Sequence, residues 1–149
     1  MISLQINIQL EGITENFGNL LLKIAQGEEV NMKVKKGFQV GAYMVVPPFP
    51  FDDKKSFEIF SKDSVVLFKT LNREGIHPIQ VKNINGQWLI TGNSGIVLLI
   101  VGTGLTMKEA QKNMYNRIAN IIINNSYYRN DIGNRWAEDS DKLLSWGLL

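Results

Sequence analysis

Between Ile79 and Val101 the chain carries three apolar runs, each bounded by turn chemistry. Ile79 to Lys82 and Gln87 to Thr91 flank Asn83-Ile84-Asn85-Gly86, where an Asn-Gly pair tolerates the positive φ that a tight hairpin demands. Gly92-Asn93-Ser94-Gly95 turns the chain again, into a continuously apolar run from Ile96 to Val101. Runs this short, with turns this close, fold as neighbouring antiparallel strands. The same reading extends upstream. Phe38 to Val46 is a strand, stopped by Pro47-Pro48-Phe49-Pro50-Phe51, because proline supplies no N–H to a ladder. Phe57 to Phe60 and Val65 to Lys69 read as short strands separated by Ser61-Lys62-Asp63.

Two helical patterns bracket these strands. Thr14 to Gln26 has Thr14 as a cap, an apolar stripe at Phe17, Leu20, Leu21 and Ile24, and Gly27 as the stop. Further on, Thr106 and Glu109 form a capping box in front of a helical face made by Ala110, Met114, Ile118, Ile121 and Ile122. That helix is expected to give way at Asn124-Asn125, and Gly133 then marks a tight turn in a polar tail. At the other end, Ile2, Leu4, Ile6, Ile8 and Leu10 alternate with polar residues, which predicts a half-buried strand. Such a strand needs a neighbour, from this chain or another. The expected class is α+β: a small, mainly antiparallel β-barrel or sheet, with a helix near the N-terminus and a long helix near the C-terminus.

Composition narrows the chemistry. A chain of 149 residues has room for one domain with a real core. Its net charge of +2 makes no case for nucleic acid, although Lys33, Lys35 and Lys36 cluster beside Phe38. Cysteine is absent, which removes disulfides and thiolate chemistry, and His77 is the single histidine, which removes a multi-histidine metal site. The longest apolar run is far too short for a bilayer span, and no leader precedes the first strand pattern, so the expectation is a cytoplasmic protein.

The tail is the most specific feature. Tyr128-Arg129-Asn130-Asp131-Ile132-Gly133-Asn134-Arg135, following the Thr106-Met107-Lys108-Glu109-Ala110 helix start, resembles the C-terminal end of the phosphoribosylamine–glycine ligase family, ATP-grasp enzymes of purine synthesis. The likeness continues through Phe17 to Gly27, Gly41 to Val46, Ile76-His77-Pro78 and Leu89 to Leu98. It implies a division into residues 1–12, a remnant of the terminal ATP-grasp strand, and residues 13–149, the family's C-terminal domain. It also implies ATP and magnesium as cofactors. The expected partner is the remainder of the ligase, from the same gene or a separate chain, with neither membrane nor nucleic acid involved. An exposed first strand would also allow a homodimer.

The resemblance further assigns residues. Arg129 and Arg135 are the substrate-binding candidates, since arginine forks recognise phosphate and carboxylate. Their structural alternative is an ion pair, with Asp131 in particular, that pins the tail. Asn7 and Gln5 lie where the family carries an Asn and a Glu as magnesium ligands. Gln5 brings an amide where magnesium favours a carboxylate, and Gln9 replaces an arginine. Pro47 to Phe51 replaces a glycine-rich loop, and Ile96 replaces an arginine. No catalytic residue is identified, and the chain is expected not to catalyse alone. His77 reads as a half-buried residue near a strand start, Trp88 as core, Trp136 and Trp146 as anchors of the tail, and Tyr115 and Arg117 as surface.

Overall fold

The computed structural model describes residues 4–148; the side chains of Leu4 and Gln5 lie outside that description. The elements in order are α1 (Leu4–Gly12), α2 (Phe17–Ala25), β1 (Phe38–Val45), α3 (Lys54–Phe60), β2 (Val65–Phe68), β3 (Ile76–Pro78), β4 (Val81–Ile84), β5 (Gln87–Ile90), β6 (Ile96–Gly104), α4 (Met107–Ala119), β7 (Ile121–Ile122) and α5 (Trp136–Ser145). They build an α+β fold with two open antiparallel sheets, ordered β1-β6-β3 and β4-β5-β2-β7. Neither sheet closes on itself, so the architecture is a pair of sheets and not a barrel.

The longest pairing is β1 with β6, running from Phe38 opposite Gly104 to Val45 opposite Ile96 with one irregularity after Met44. Alternation along β1 then decides two faces. Val40, Ala42, Met44 and Val46 point into the main core with Val97, Leu98 and Ile100 of β6 and with Ala110, Met114 and Ile118 of α4. Gly41 points the other way, against Ile8 of α1. The three-stranded sheet therefore carries α4 on one face and α1 on the other. The second sheet closes the core with Val66, Ile90 and Ile121.

The Asn-Gly hairpin between β4 and β5 forms as expected, with φ of 52° at Asn85 and 84° at Gly86. The capped helix also forms, and Thr106 Oγ1 accepts the Glu109 N–H at 3.2 Å. The reciprocal arm lands one residue early: the Glu109 carboxylate accepts the Leu105 N–H at 2.8 Å.

Three expectations are corrected. The alternating N-terminal segment is helical from Leu4 onward, and residues 1–3 lie outside the described residues. A helix closes its hydrogen bonds internally, whereas a strand there would need a free edge in register. Among the described residues, the N-terminal segment presents a helix and not a strand edge. Second, Phe57 to Phe60 belongs to α3, started by Asp53, whose carboxylate accepts the N–H groups of Lys55 at 3.0 Å and Ser56 at 3.2 Å. The Ser56 hydroxyl, with those bonds, holds the Asp53 carboxyl below its ordinary pKa. Third, α4 stops at Ala119, and Ile121–Ile122 leaves the helix to pair with β2 as β7.

Candidate functional site

The tail after β7 is held by three attachments. Tyr127 exchanges both backbone hydrogen bonds with Val45, at 3.0 and 2.9 Å, and its hydroxyl donates to the Phe49 carbonyl. Tyr115 on α4 then draws the chain away from β1: its hydroxyl donates to the Arg129 carbonyl at 3.0 Å and accepts the Ile132 N–H at 3.2 Å. Gln111 adds a bond to the Ile132 carbonyl at 2.8 Å. Gly133 turns with φ of 86° under Met107, and Trp136 closes the path by meeting Phe38 edge-on, 4.9 Å between ring centroids. Burial pushes the Tyr115 hydroxyl above its ordinary pKa, and the nearby Asp131 charge adds to that.

Tyr115, expected at the surface, is half-buried and stitches the tail to α4. Arg117 is corrected in the same way. Its guanidinium donates to the Val101 carbonyl and pairs with Glu74 at 3.0 Å, so it braces β6. The sequence signal for both was their position beside Met114 and Ile118, at the edges of the apolar face, where a long side chain reaches past the helix. Trp136 anchors the tail, whereas Trp146 is exposed. Trp88 packs against the core, edge-on to Phe68. Tyr115→Phe is expected to cost about 1 kcal/mol, the net worth of a lost hydrogen bond. It should speed amide exchange at Ile132 before that of β6, and unchanged exchange there would contradict the stitching role.

The two arginines sit on this tail, and both are paired. Arg129 makes a two-pronged contact with Asp131, Nε to Oδ1 at 2.9 Å and Nη2 to Oδ2 at 2.7 Å. Arg135 reaches Asp139 at 3.3 Å, one turn along α5. The Arg129 hydrogen bond holds the Asp131 carboxyl below its ordinary pKa. Because the folded pKa is depressed, the pair supports the tail above the ordinary carboxylate pKa and loses that support as pH falls through the folded value. An NMR titration should find the Asp131 midpoint below that of a model aspartate, and Arg129→Ala should return it to the ordinary value.

Several hollows flank the tail and the N-terminus, among them a shallow one of about 270 Å³ that brings Arg129, Asp131, Arg135 and Asp139 together. A slot of about 330 Å³ lies between β1 and the tail, walled by Tyr43, Phe49, Tyr127, Tyr128 and Ile132. A wider groove of about 750 Å³ runs between α1, α2 and residues 32–39, lined by Ile6, Leu10, Phe17, Met32 and Val34. The α2 helix buries only Leu20 and leaves Leu21, Leu22 and Ile24 exposed.

Asn7 is half-buried on α1, and the Gln5 side chain lies outside the described residues. Among the described residues, no three His, Cys, Asp or Glu groups gather as metal ligands. Glu11, the carboxylate on α1, instead approaches Nε2 of the half-buried His77 at 2.9 Å. That contact has ion-pair distance without hydrogen-bond alignment, since Nε2 is buried and makes no aligned bond. A single amide does not fit a hard dication by itself, so the described residues of this chain do not make a magnesium site unaided. No helix among the described residues is long and apolar enough to cross a membrane.

The chain thus has a helix-flanked antiparallel fold with an arginine-bearing tail pinned to α4. The family model "Phosphoribosylglycinamide synthetase, C domain" matches residues 39–135, and the chain belongs to this family. Among its relatives are phosphoribosylamine–glycine ligases of two Streptococcus pneumoniae strains, R6 and TIGR4. Each is 26% identical over 132 residues, spanning 86% of this chain and 29% of the ligase. The crystal structure of the Thermotoga maritima phosphoribosylamine–glycine ligase is similar with a TM-score of 0.58 and 26% identity, over 77% of this chain and 27% of that one. The chain thus spans less than a third of the length of these relatives.

Proposed function

We propose that this chain acts as the C-terminal portion of a phosphoribosylamine–glycine ligase-like enzyme in the cytoplasm and does not catalyse alone. The ATP-grasp portion comes from the rest of the same protein or from a separate chain. The observation that carries this reading is the uncovered apolar flank formed by α1, α2 and residues 32–39, where Leu22 is 57% and Val34 57% exposed. Exposed apolar side chains gathered on a helix that buries only Leu20 mark an interface. The reaction of such a ligase joins an amine to glycine. The glycine carboxylate attacks the ATP γ-phosphate, giving an acyl phosphate and ADP; the amine then attacks the acyl carbon and phosphate leaves. Its barrier is lowered by positioned cationic groups and magnesium. In this reading, Arg129 and Arg135 exchange Asp131 and Asp139 for the anionic groups of the substrate. Magnesium in such an enzyme would be held by carboxylates from the ATP-grasp side, since Asn7 lies on a helix and not on the ligand-bearing strand the resemblance implied.

The test mixes this chain with a phosphoribosylamine–glycine ligase lacking its C domain and assays glycinamide ribonucleotide formation. Turnover is expected from the mixture and from neither part alone, and Leu22→Asp should abolish both complex and turnover. Turnover by this chain alone, or a Leu22→Asp variant that assembles normally, would overturn the reading.

The pairing of both arginines within the chain favours a second reading, a non-catalytic binding or assembly module derived from the same domain. Calorimetric titration with glycinamide ribonucleotide separates the two. Heat that disappears in Arg129→Ala supports a ligand-reading tail; no heat with the assembled complex supports the module.

A further inference from the structure

The slot beside β1 has a chemistry of its own. Val45 gives both its N–H and its C=O to Tyr127, on the side of β1 away from β6. Groups on an antiparallel strand alternate between its two sides. Gly41 and Tyr43 therefore point their backbone groups to that same outer side. The opposite strand agrees: Val101, the partner of Gly41, sends its N–H to Gly75 and not to β1. No described residue bonds the backbone of Gly41 or Tyr43 across this outer edge. On such an edge the C=O of one residue and the N–H of the residue two further on are neighbours. The Gly41 C=O and the Tyr43 N–H thus form an adjacent acceptor and donor facing the slot.

The walls complete the site. Aromatic rings of Tyr43, Phe49, Tyr127 and Tyr128 line a space of about 330 Å³, at the lower end of small-molecule clefts. Its one charged lining residue, Arg129, is held by both oxygens of Asp131, so the slot presents no net charge. A continuous peptide strand does not fit. Tyr127 already occupies the edge at Val45, and the Phe38–Trp136 contact closes the path at the other end of β1.

We infer that this slot binds a neutral, planar heteroaromatic ring carrying an adjacent donor and acceptor, read by the Gly41 C=O and the Tyr43 N–H and sandwiched by the surrounding tyrosines. Buried groups of this kind reject an analogue that lacks the matching donor, because one of them is left unpaired. Such a ring would bind whether or not the chain completes a ligase.

The test is a ¹⁵N-amide NMR titration of the whole chain with 7-azaindole, which carries a neighbouring N–H and ring nitrogen. Saturable shifts centred on the amides from Gly41 to Tyr43 are expected. With 1-methyl-7-azaindole, in which the donor is blocked, affinity should fall by about tenfold or more, the factor expected for one lost hydrogen bond. Tyr128→Ala should weaken binding while the remaining spectrum stays intact, and Leu71→Ala, a remote exposed change, should leave it unaltered. Equal affinity for the methylated compound would reduce the effect to apolar partitioning and overturn the inference. So would shifts confined to the α1–α2 groove, no saturable shift up to the solubility limit, or displacement of 7-azaindole by inorganic phosphate.

Discussion

Gly102→Ala will destabilise this protein by about 3 kcal/mol or more, at the upper end of what overpacking a tight interior costs. The usual expectation runs the other way, because replacing glycine where the backbone allows it stabilises by roughly 0.4–1 kcal/mol through the unfolded state. Space decides the sign. A Cβ at Gly102 would overlap the backbone of α4, meeting the Ala110 carbonyl and the Met114 N–H, with Met114 Cα at 2.8 Å. Backbone cannot rotate aside as a side chain does, so β6 and α4 would have to separate along the most buried part of the core. Gly104 is similarly confined, with Ala110 N at 2.6 Å. A urea midpoint about 1–2 M lower is expected, given slopes of roughly 1–3 kcal/mol/M for small domains. Gly86→Ala is the control. Its φ is 84° but nothing lies within 4 Å, so it should cost only the left-handed backbone penalty, about 1 kcal/mol. Equal losses in the two variants would contradict the close approach of helix and sheet.

Phe57→Ala should cost about 3–5 kcal/mol, the range for emptying a buried phenylalanine site. Phe57 is 1% exposed and is the sole buried residue of α3, while Ile59 and Phe60 on the same short helix are largely exposed. Seven residues are too few for a helix to persist in water by itself, so α3 depends on this one anchor and on its Asp53 cap. Hydrogen exchange should show the α3 amides losing protection first, with β6 following only as global stability falls. A variant whose α3 amides keep their protection would mean that the cap and not the ring holds the helix.

The contrast between α3 and the hairpin of β4 and β5 explains which features are legible in the sequence. The Asn85-Gly86 turn is a local requirement for positive φ, and few residue pairs meet it as readily, so it reads directly from the chain. The Thr106 cap and the continuous apolar run of β6 are legible for the same reason: each answers to its own backbone or to complete burial. Phe57 to Phe60 resembles a strand because its few residues show no clear period. The residues before it, Asp52-Asp53-Lys54-Lys55, read as a solvated loop because charge runs usually are, although they carry the helix start. In the tail, the sequence locates Arg129, Asp131 and Trp136, yet leaves open whether Arg129 meets Asp131 or a ligand. In the folded chain the arginine has the carboxylate.

By itself, the sequence determined the α+β class, the strands that become β1 and β6, the hairpin, the capped helix and the membership of the synthetase C-domain family, because these rest on local backbone chemistry and on motif residues close together in the chain; the pairing of β1 with β6 is tertiary. Only the tertiary structure decided that the alternating N-terminal segment coils as α1, that Ile121–Ile122 leaves its helix for β2, and that Tyr115 pulls the tail off β1 to open the slot. Each of those depends on whether a distant element offers a free edge, a glycine-lined face or a hydroxyl at the right place, and period along the chain carries no record of that.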